Sequence, residues 1–246
     1  MSENKTGKPA LPAGRYLKYA IGEIVLVVIG ILIALEVNNW NENKKLDIEK
    51  TKLVKGLISD FEITKKRLII SLDKAKNVHE KSVSFLSMSE EDIRNISIDS
   101  LVDLAGFFID RITFEPMLAT YNRTLSSGAV NLFENDSLFK LFPDFFLEYD
   151  SFKIHDNLGG ELVYKESTWE VRKALGSMNV FYRNNRYPKS FELSETQYRN
   201  FLLQKNIYAA MENMAWIYRN SLENLESMDK TTNKILIELR KSLAQK

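Results

Sequence analysis

The sequence predicts an all-α protein: one N-terminal transmembrane helix, followed by a helical bundle with two long antiparallel helices. Three observations predict this class. Ten glycines and five prolines in 246 residues leave few positions that interrupt a helix. One stretch near the N-terminus is apolar over the length of a membrane span. Two long segments repeat apolar residues at intervals of three and four, the spacing of one helix face.

Length and composition predict a tail, an anchor and one soluble domain. Residues 1–15 are polar and hold two of the five prolines, which predicts a short disordered cytoplasmic tail. Residues 16–40 are predicted to form the transmembrane helix. Residues 41–246 are predicted to form a helical soluble domain in the periplasm.

The predicted anchor is apolar without interruption from Ile24 to Leu35. Its many β-branched residues would favour a buried strand in water, but an isolated strand in lipid leaves its backbone unpaired, so a helix is required. Tyr16, Tyr19 and Trp40 mark the two interfaces. The alternatives are a buried core helix and a cleaved signal peptide. No small-x-small cleavage site follows Leu35, which disfavours the signal peptide.

The orientation follows from the residues that flank the span. Arg15 and Lys18 lie against its start, whereas the far side opens with Glu36 and several asparagines before Lys44. Lysine and arginine within twenty residues number four before the span and five after it, so the simple count does not decide. The immediate flanks favour a cytoplasmic N-terminus and an exported C-terminal domain.

An acidic residue interrupts the anchor. Glu23, Gly30 and Ala34 share one face of a helix, and the Gly30-x-x-x-Ala34 spacing allows another helix to approach closely. We expect this face to pair with a second copy or with another membrane protein, with Glu23 hydrogen-bonding across the contact. Alternatively, Glu23 is protonated, or its side chain extends to the near interface.

Two stretches carry a family resemblance. Residues 18–42 read KYAIGEIVLVVIGILIALEVNNWNE, and residues 121–132 read YNRTLSSGAVNL and are followed by NDSL. Both resemble recurrent regions of a large, functionally unassigned family of single-pass membrane proteins from Gram-negative bacteria, a domain of unknown function. The resemblance implies membrane placement and a helical soluble part. It implies no activity.

The soluble part divides into predicted helices. The first runs from Asn41 to about Leu86 and continues from the span, and a polar connection begins at Ser87. Ser97 or Asp99 can cap a helix through about Asp110. Thr113, with Pro116 in the first turn, is predicted to start the next helix, which ends before Gly128. The first of these helices has an apolar face that comprises Leu46, Leu53, Leu57, Thr64, Leu68, Ala75, Val78, Ser82 and Phe85.

The middle of the chain is rich in phenylalanine: nine of the fourteen lie between Phe107 and Phe152. They predict either the core of the bundle or an apolar pocket for a lipid-like ligand. Asn135-Asp136-Ser137 can cap a helix that contains Pro143. Gly159-Gly160 is expected to break or bend that helix, and the helical pattern resumes at Glu161.

The last third contains an irregular segment and a long helix. Residues 178–193 combine aromatic residues with arginine and asparagine, and we consider the segment a possible ligand or partner loop through Phe181, Tyr182, Arg183, Arg186 and Tyr187. The alternative is a loop that packs over the bundle. Ser194-Glu-Thr-Gln197 predicts a capping box, and the last helix is expected to run to about Leu243. Its heptad-like stripe is broken at Asp229 and Thr232.

Composition and motifs favour no catalytic chemistry. The net charge of +1 provides no basic footprint for nucleic acid. There is no cysteine, and the two histidines, His79 and His155, leave no multi-histidine metal site within one chain. His155-Asp156 has no identifiable nucleophile. We therefore expect no catalytic residue, metal or cofactor, and a non-enzymatic interaction module that contacts membrane lipid. The alternative is a binding protein or enzyme for a small apolar ligand.

Overall fold

A computed structural model describes residues 13–133, 138–164 and 194–244, and within these ranges the chain is mostly helical and contains no strand. The all-α prediction is confirmed. Seven α-helices and two 3₁₀ helices are described: α1 (Ala13–Leu86), α2 (Glu90–Asn95), α3 (Ile98–Ala105), a 3₁₀ helix (Gly106–Ile109), α4 (Ala119–Ser126), a second 3₁₀ helix (Ala129–Phe133), α5 (Leu138–Tyr164), α6 (Glu195–Leu202) and α7 (Lys205–Ala244).

The chain divides into two compact units, Met1–Lys52 and Leu53–Lys246. The first unit contains the apolar part of α1, whose residues from Tyr19 to Glu49 are all exposed. The second unit is a helical bundle. Its part of α1 buries the predicted apolar face from Leu53 to Phe85. Leu46, which the prediction placed on that face, is exposed because it lies in the first unit.

The two long helices of the bundle, α1 and α7, are antiparallel, as predicted. Arg240 on α7 forms an ion pair with Glu62 on α1 at 2.9 Å. Lys65 donates a hydrogen bond to the Asn233 side chain. At the other end, the Tyr208 hydroxyl donates to the Leu86 carbonyl at 2.9 Å. Residue numbers therefore fall along α7 as they rise along α1.

Helix α5 packs antiparallel to α7 on another side. The Asn224 amide on α7 donates to Glu148 at 2.9 Å, and the His155 and Trp216 rings meet edge to face at 5.6 Å. Phe61 on α1 contacts Phe142 and Phe145 on α5, with ring centroids 5.5 and 5.6 Å apart. The core therefore lies between the three long helices.

An extended segment, residues 110–118, fills the space between α1 and α5. We call it the strap. It runs antiparallel to α1, and its backbone binds side chains of that helix rather than another strand. The carbonyls of every second strap residue accept these bonds: Arg111 from Lys74 (2.6 Å), Thr113 from Ser71 (2.8 Å), Glu115 from Arg67 (2.9 Å) and Met117 from Thr64 (3.3 Å).

The bonds continue at the end of the strap. The Thr64 hydroxyl also accepts from the Met117 N–H at 2.9 Å, and the buried Asp60 carboxylate accepts from the Thr120 N–H at 2.6 Å. The five α1 residues, Asp60, Thr64, Arg67, Ser71 and Lys74, are spaced alternately by four and three, so they lie on one side of the helix. One helix face thus binds an entire extended segment.

The predicted helix start at Thr113 is wrong, because α4 begins at Ala119. The strap alternates buried Ile112, Phe114 and Pro116 with exposed residues, which is the period of an extended chain rather than of a helix. Pro116 also restricts Glu115 to an extended backbone. The predicted end of α4 is confirmed, since Gly128 has a φ of 70°.

Helix α2 was not predicted; it forms within the expected polar connection. Its Ser89 side chain accepts from the Asp92 N–H while the Asp92 carboxylate accepts from the Ser89 N–H, a reciprocal cap. Ser97 caps α3, as expected. The carbonyls of Ile93 and Ile96, at the end of α2, accept from the Arg199 guanidinium at 2.6 and 2.7 Å, which joins α2 to α6.

Two further boundaries test the prediction, and a third cannot be compared. The capping box at Ser194 and Gln197 is confirmed, but it opens the short helix α6, and α7 starts separately at Lys205. Gly159-Gly160 does not end α5, which continues to Tyr164 with Pro143 inside it. The Gly159 backbone lies against α7: a Cβ built there would be 3.2 Å from the Met214 Cε. Asn135-Asp136-Ser137 lies outside the described residues.

Two equally buried threonines give the first test of the strap. Both Thr64 and Thr232 are 0% exposed, but Thr64 exchanges two hydrogen bonds with Met117, whereas the Thr232 hydroxyl has no partner among the described residues. Thr64→Val should lower the free energy of unfolding by about 1–3 kcal/mol because it leaves buried backbone groups unpaired. Thr232→Val should be neutral or stabilising. Thermal unfolding of the full chain in detergent measures both; equal effects would contradict the role of Thr64.

A second test concerns the close approach of α1 to α4. A Cβ built on Gly56 would lie 2.8 Å from two side-chain atoms of Thr120. We expect Gly56→Ala to destabilise the protein by roughly 1–3 kcal/mol, although alanine favours a helix. The Thr120→Ala change should relieve most of this cost in the double variant. Gly106→Ala is the matched control, because nothing lies within 4 Å of its Cβ.

Candidate functional site

The predicted intramembrane contact residues lie together on an exposed face of α1. Glu23, Gly30 and Ala34 are all exposed in the first unit. A Cβ built on Gly30 would meet nothing within 4 Å in the described part of the chain, so no described residue packs against this position. This face has one carboxylate among apolar neighbours and two small residues further along the helix. A second helix that offers a hydrogen-bond donor can therefore pack closely against it.

The helix that carries this face is long and apolar enough to cross a membrane. Its most apolar 18-residue window has a mean hydropathy of 2.6, and no part of the window is buried. An apolar helix without a buried face differs from the amphipathic helices of the bundle, each of which turns one stripe to the core. This supports the anchor by length and composition alone.

The predicted ligand or partner loop, formed by Phe181, Tyr182, Arg183, Arg186 and Tyr187, lies outside the described residues.

The phenylalanines of the middle region whose side chains are described pack in the core. Phe114 contacts Tyr149 and Phe152 edge to face, with centroids 5.9 and 6.1 Å apart. Tyr121 lies against Phe142 and Phe146 at 5.0 and 4.7 Å. The fully buried members are Phe107, Phe108, Phe133, Phe142, Phe145 and Phe152. These rings fill space between helices, so of the two predicted alternatives the geometry favours the core.

A small cavity lies beside this core, between α5, α7 and the start of the strap. Its volume is about 20 Å³, the room of one water molecule. Its lining includes Arg111, His155, Asp156, Tyr218 and Ser221, and no phenylalanine. It is therefore too small for a lipid-like ligand.

Several polar residues at this cavity have side-chain or backbone partners. The Arg111 guanidinium donates two hydrogen bonds to the Asp156 carboxylate, at 2.9 and 3.0 Å, which fixes the strap to α5. The His155 Nδ1 lies 3.1 Å from the Asn224 Oδ1, and the Tyr218 hydroxyl donates to the Asp110 carbonyl. Asp156 thus pairs with arginine and does not orient the adjacent His155, so the two do not form a catalytic dyad.

A shallow groove of about 400 Å³ crosses the strap on its outer side. It is lined by Arg67, Ile70, Ser71, Thr113, Phe114, Glu115 and Asp156. The Tyr149 hydroxyl, near this groove, donates to the Glu115 carboxylate at 2.9 Å. Burial raises the pKa of the Tyr149 phenol above its usual range, and the bond to Glu115 acts in the same direction. These groups are engaged in holding the strap.

Sequence reasoning missed the polar residues that hold the strap. Asp60, Ser71 and Arg111 were not predicted to have a role, and Thr64 was predicted only as part of an apolar face. For Asp60, Thr64 and Ser71 a signal was available, because these short polar side chains recur at helical spacing within an otherwise apolar face of α1. Among the described residues, no three His, Asp or Glu side chains converge on a position that could hold a metal ion.

Comparison with known proteins places the chain in a family. Residues 23–182 match the model of a family of unknown function, DUF6090. The matched range begins inside the apolar part of α1 and contains the strap and the phenylalanine-rich region. No curated protein and no solved structure matches the chain. Because the match covers well over half of the sequence, the chain belongs to the DUF6090 family, whose function is unknown.

Proposed function

We propose that this protein is a single-pass inner-membrane protein of a Gram-negative bacterium whose helical bundle is a non-enzymatic interaction module in the periplasm. Its N-terminus is cytoplasmic. It serves as an accessory, scaffold or sensor subunit that contacts membrane lipid and joins its own copy or another membrane protein through α1. It binds no nucleic acid.

The face formed by Glu23, Gly30 and Ala34 carries the proposal. An acidic group four residues from the middle of a span costs on the order of 2–3 kcal/mol in lipid. A hydrogen bond to a second helix offsets part of that cost, and the small residues about two and three turns away allow the helices to approach. The same three residues are exposed, which leaves them accessible to a partner.

The construction of the bundle also supports an interaction role. Its phenylalanines pack against one another, and the cavity beside them holds one water molecule at most. Its polar side chains at that cavity and at the strap are engaged in pairs that hold elements together. We therefore favour a rigid binding surface over a small-molecule site.

Recovery of partners tests the anchor face. Tagged, detergent-solubilised protein should yield a specific partner or a self-oligomer after crosslinking and mass spectrometry, and Glu23→Leu should lose it, because the hydrogen bond across the helices is removed. Glu36→Leu, an equal change on the opposite side of α1, is the matched control. A wild-type monomer that recovers nothing would refute the interaction role, and recovery unchanged by Glu23→Leu would refute the role of this face.

A labelling experiment tests the orientation. The natural chain has no cysteine, so single-cysteine variants have no background. In spheroplasts, a membrane-impermeant maleimide should label Ser87→Cys, in the exposed turn after α1, and should leave Ser2→Cys unlabelled until the membrane is permeabilised. The change in gel mobility with a polyethylene-glycol maleimide reports each site. The reverse pattern would place the bundle in the cytoplasm.

A further inference from the structure

The helix α1 changes its charge distribution directly after Trp40. At roughly 100° per residue, Trp40, Lys44, Lys45, Ile48 and Lys52 fall within an arc of about 140°. All five side chains are exposed. Lys44, Lys45 and Lys52 form no ion pair with any residue in the described part of the chain. One side of this stretch is therefore basic and partly apolar.

The acidic residues of the same stretch border the arc: Asp47 lies about 20° beyond Trp40, and Glu49 and Glu42 lie about 40° and 60° beyond Lys45. Glu42, Asp47 and Glu49 all fall outside the basic arc. The Glu42 carboxylate accepts a hydrogen bond from Asn38 at 3.3 Å, so it has a partner of its own. None of these carboxylates lies between Lys44 and Lys45 on the helix surface, so the arc itself contains no negative charge.

The position along the helix places these lysines at a defined depth. Lys44 lies four residues beyond Trp40, or about 6 Å at helical rise. A bilayer has a headgroup layer of roughly 5–7 Å on each side of its hydrocarbon core. The Lys44 Nζ lies 5.1 Å from the centre of the Trp40 ring, which holds the ammonium at the level of the residue that marks the interface.

We propose that Trp40, Lys44 and Lys45 form a binding face for the phosphate of anionic phospholipid headgroups. The inference rests on the proposed membrane anchor and names the lipid that the anchor selects. Trp40 packs among the glycerol and upper acyl groups, and the two ammonium groups bind the phosphate. An anionic headgroup fits better than a zwitterionic one, because the arc contains no carboxylate that could bind a choline or amine.

Lipid titration of the full chain tests the proposal. In detergent, native mass spectrometry measures binding of phosphatidylglycerol and of phosphatidylcholine to the same protein. Wild type should prefer phosphatidylglycerol, and the preference should fall as salt rises. A lysine at an anionic surface strengthens binding roughly fivefold, so Lys44→Gln with Lys45→Gln should lower the phosphatidylglycerol affinity on the order of 25-fold. Phosphatidylcholine binding should not change.

Two further variants separate a local site from net charge. Lys66→Gln with Lys76→Gln removes the same charge from exposed positions of the bundle and should retain the preference. Lys44→Arg with Lys45→Arg should also retain it. An equal loss in the Lys66 and Lys76 variant, or an equal loss for both lipids, would overturn the proposal.

Alkaline carbonate extraction distinguishes the failure of this inference from the failure of the anchor. The Lys44 and Lys45 variants should stay in the membrane pellet, because the apolar span is intact. An unchanged phosphatidylglycerol affinity in protein that stays in the pellet would overturn the headgroup face alone. Wild-type protein released by carbonate would overturn the anchor and, with it, the headgroup face.

Discussion

The bundle depends on how the backbone of the strap is hydrogen-bonded. An extended chain buried between helices has no strand beside it, and buried N–H and C=O groups without partners are costly. Here side chains of α1 take the place of a neighbouring strand, from Lys74 at one end to Asp60 at the other. The alternate strap residues, Ile112, Phe114 and Pro116, are then free to turn their side chains into the core. The strap thereby joins α1 to the aromatic residues of α5.

A single helix meets two different environments in this chain. Between Tyr19 and Leu35, α1 is apolar on all sides, apart from Glu23, and exposed. From Leu53 to Phe85 it buries one stripe and exposes the other side. The stretch between these parts is charged, and Lys44, Lys45 and Lys52 lie on an arc that contains no carboxylate. The hydropathy pattern therefore changes along α1 from apolar on all sides to amphipathic, although the secondary structure stays helical throughout.

The sequence predicts the long helices well and the strap poorly, for a physical reason. The apolar stripes of α1 and α7 repeat over many turns, so an error at one position, such as Leu46, leaves the helix prediction intact. The strap contains only nine residues, and its Thr113 and Pro116 also fit a helix start. What decides its conformation is the row of bonds from α1, from residues that lie 37 to 60 positions earlier in the chain. The bidentate pair of Arg111 and Asp156 likewise depends on contacts that no local pattern contains.

The attachment of the strap has a consequence for how its sequence can drift. The bonds from α1 end on carbonyl oxygens, which every amino acid supplies. Exchanges at Arg67, Ser71 or Lys74 therefore demand no compensating exchange at Thr113 or Glu115. Correlated substitutions between homologues would indicate the aromatic contacts of Phe114. They would not indicate the hydrogen bonds that hold the strap to α1. A method that infers proximity from co-variation alone would place this segment beside α5 and would miss its attachment to α1.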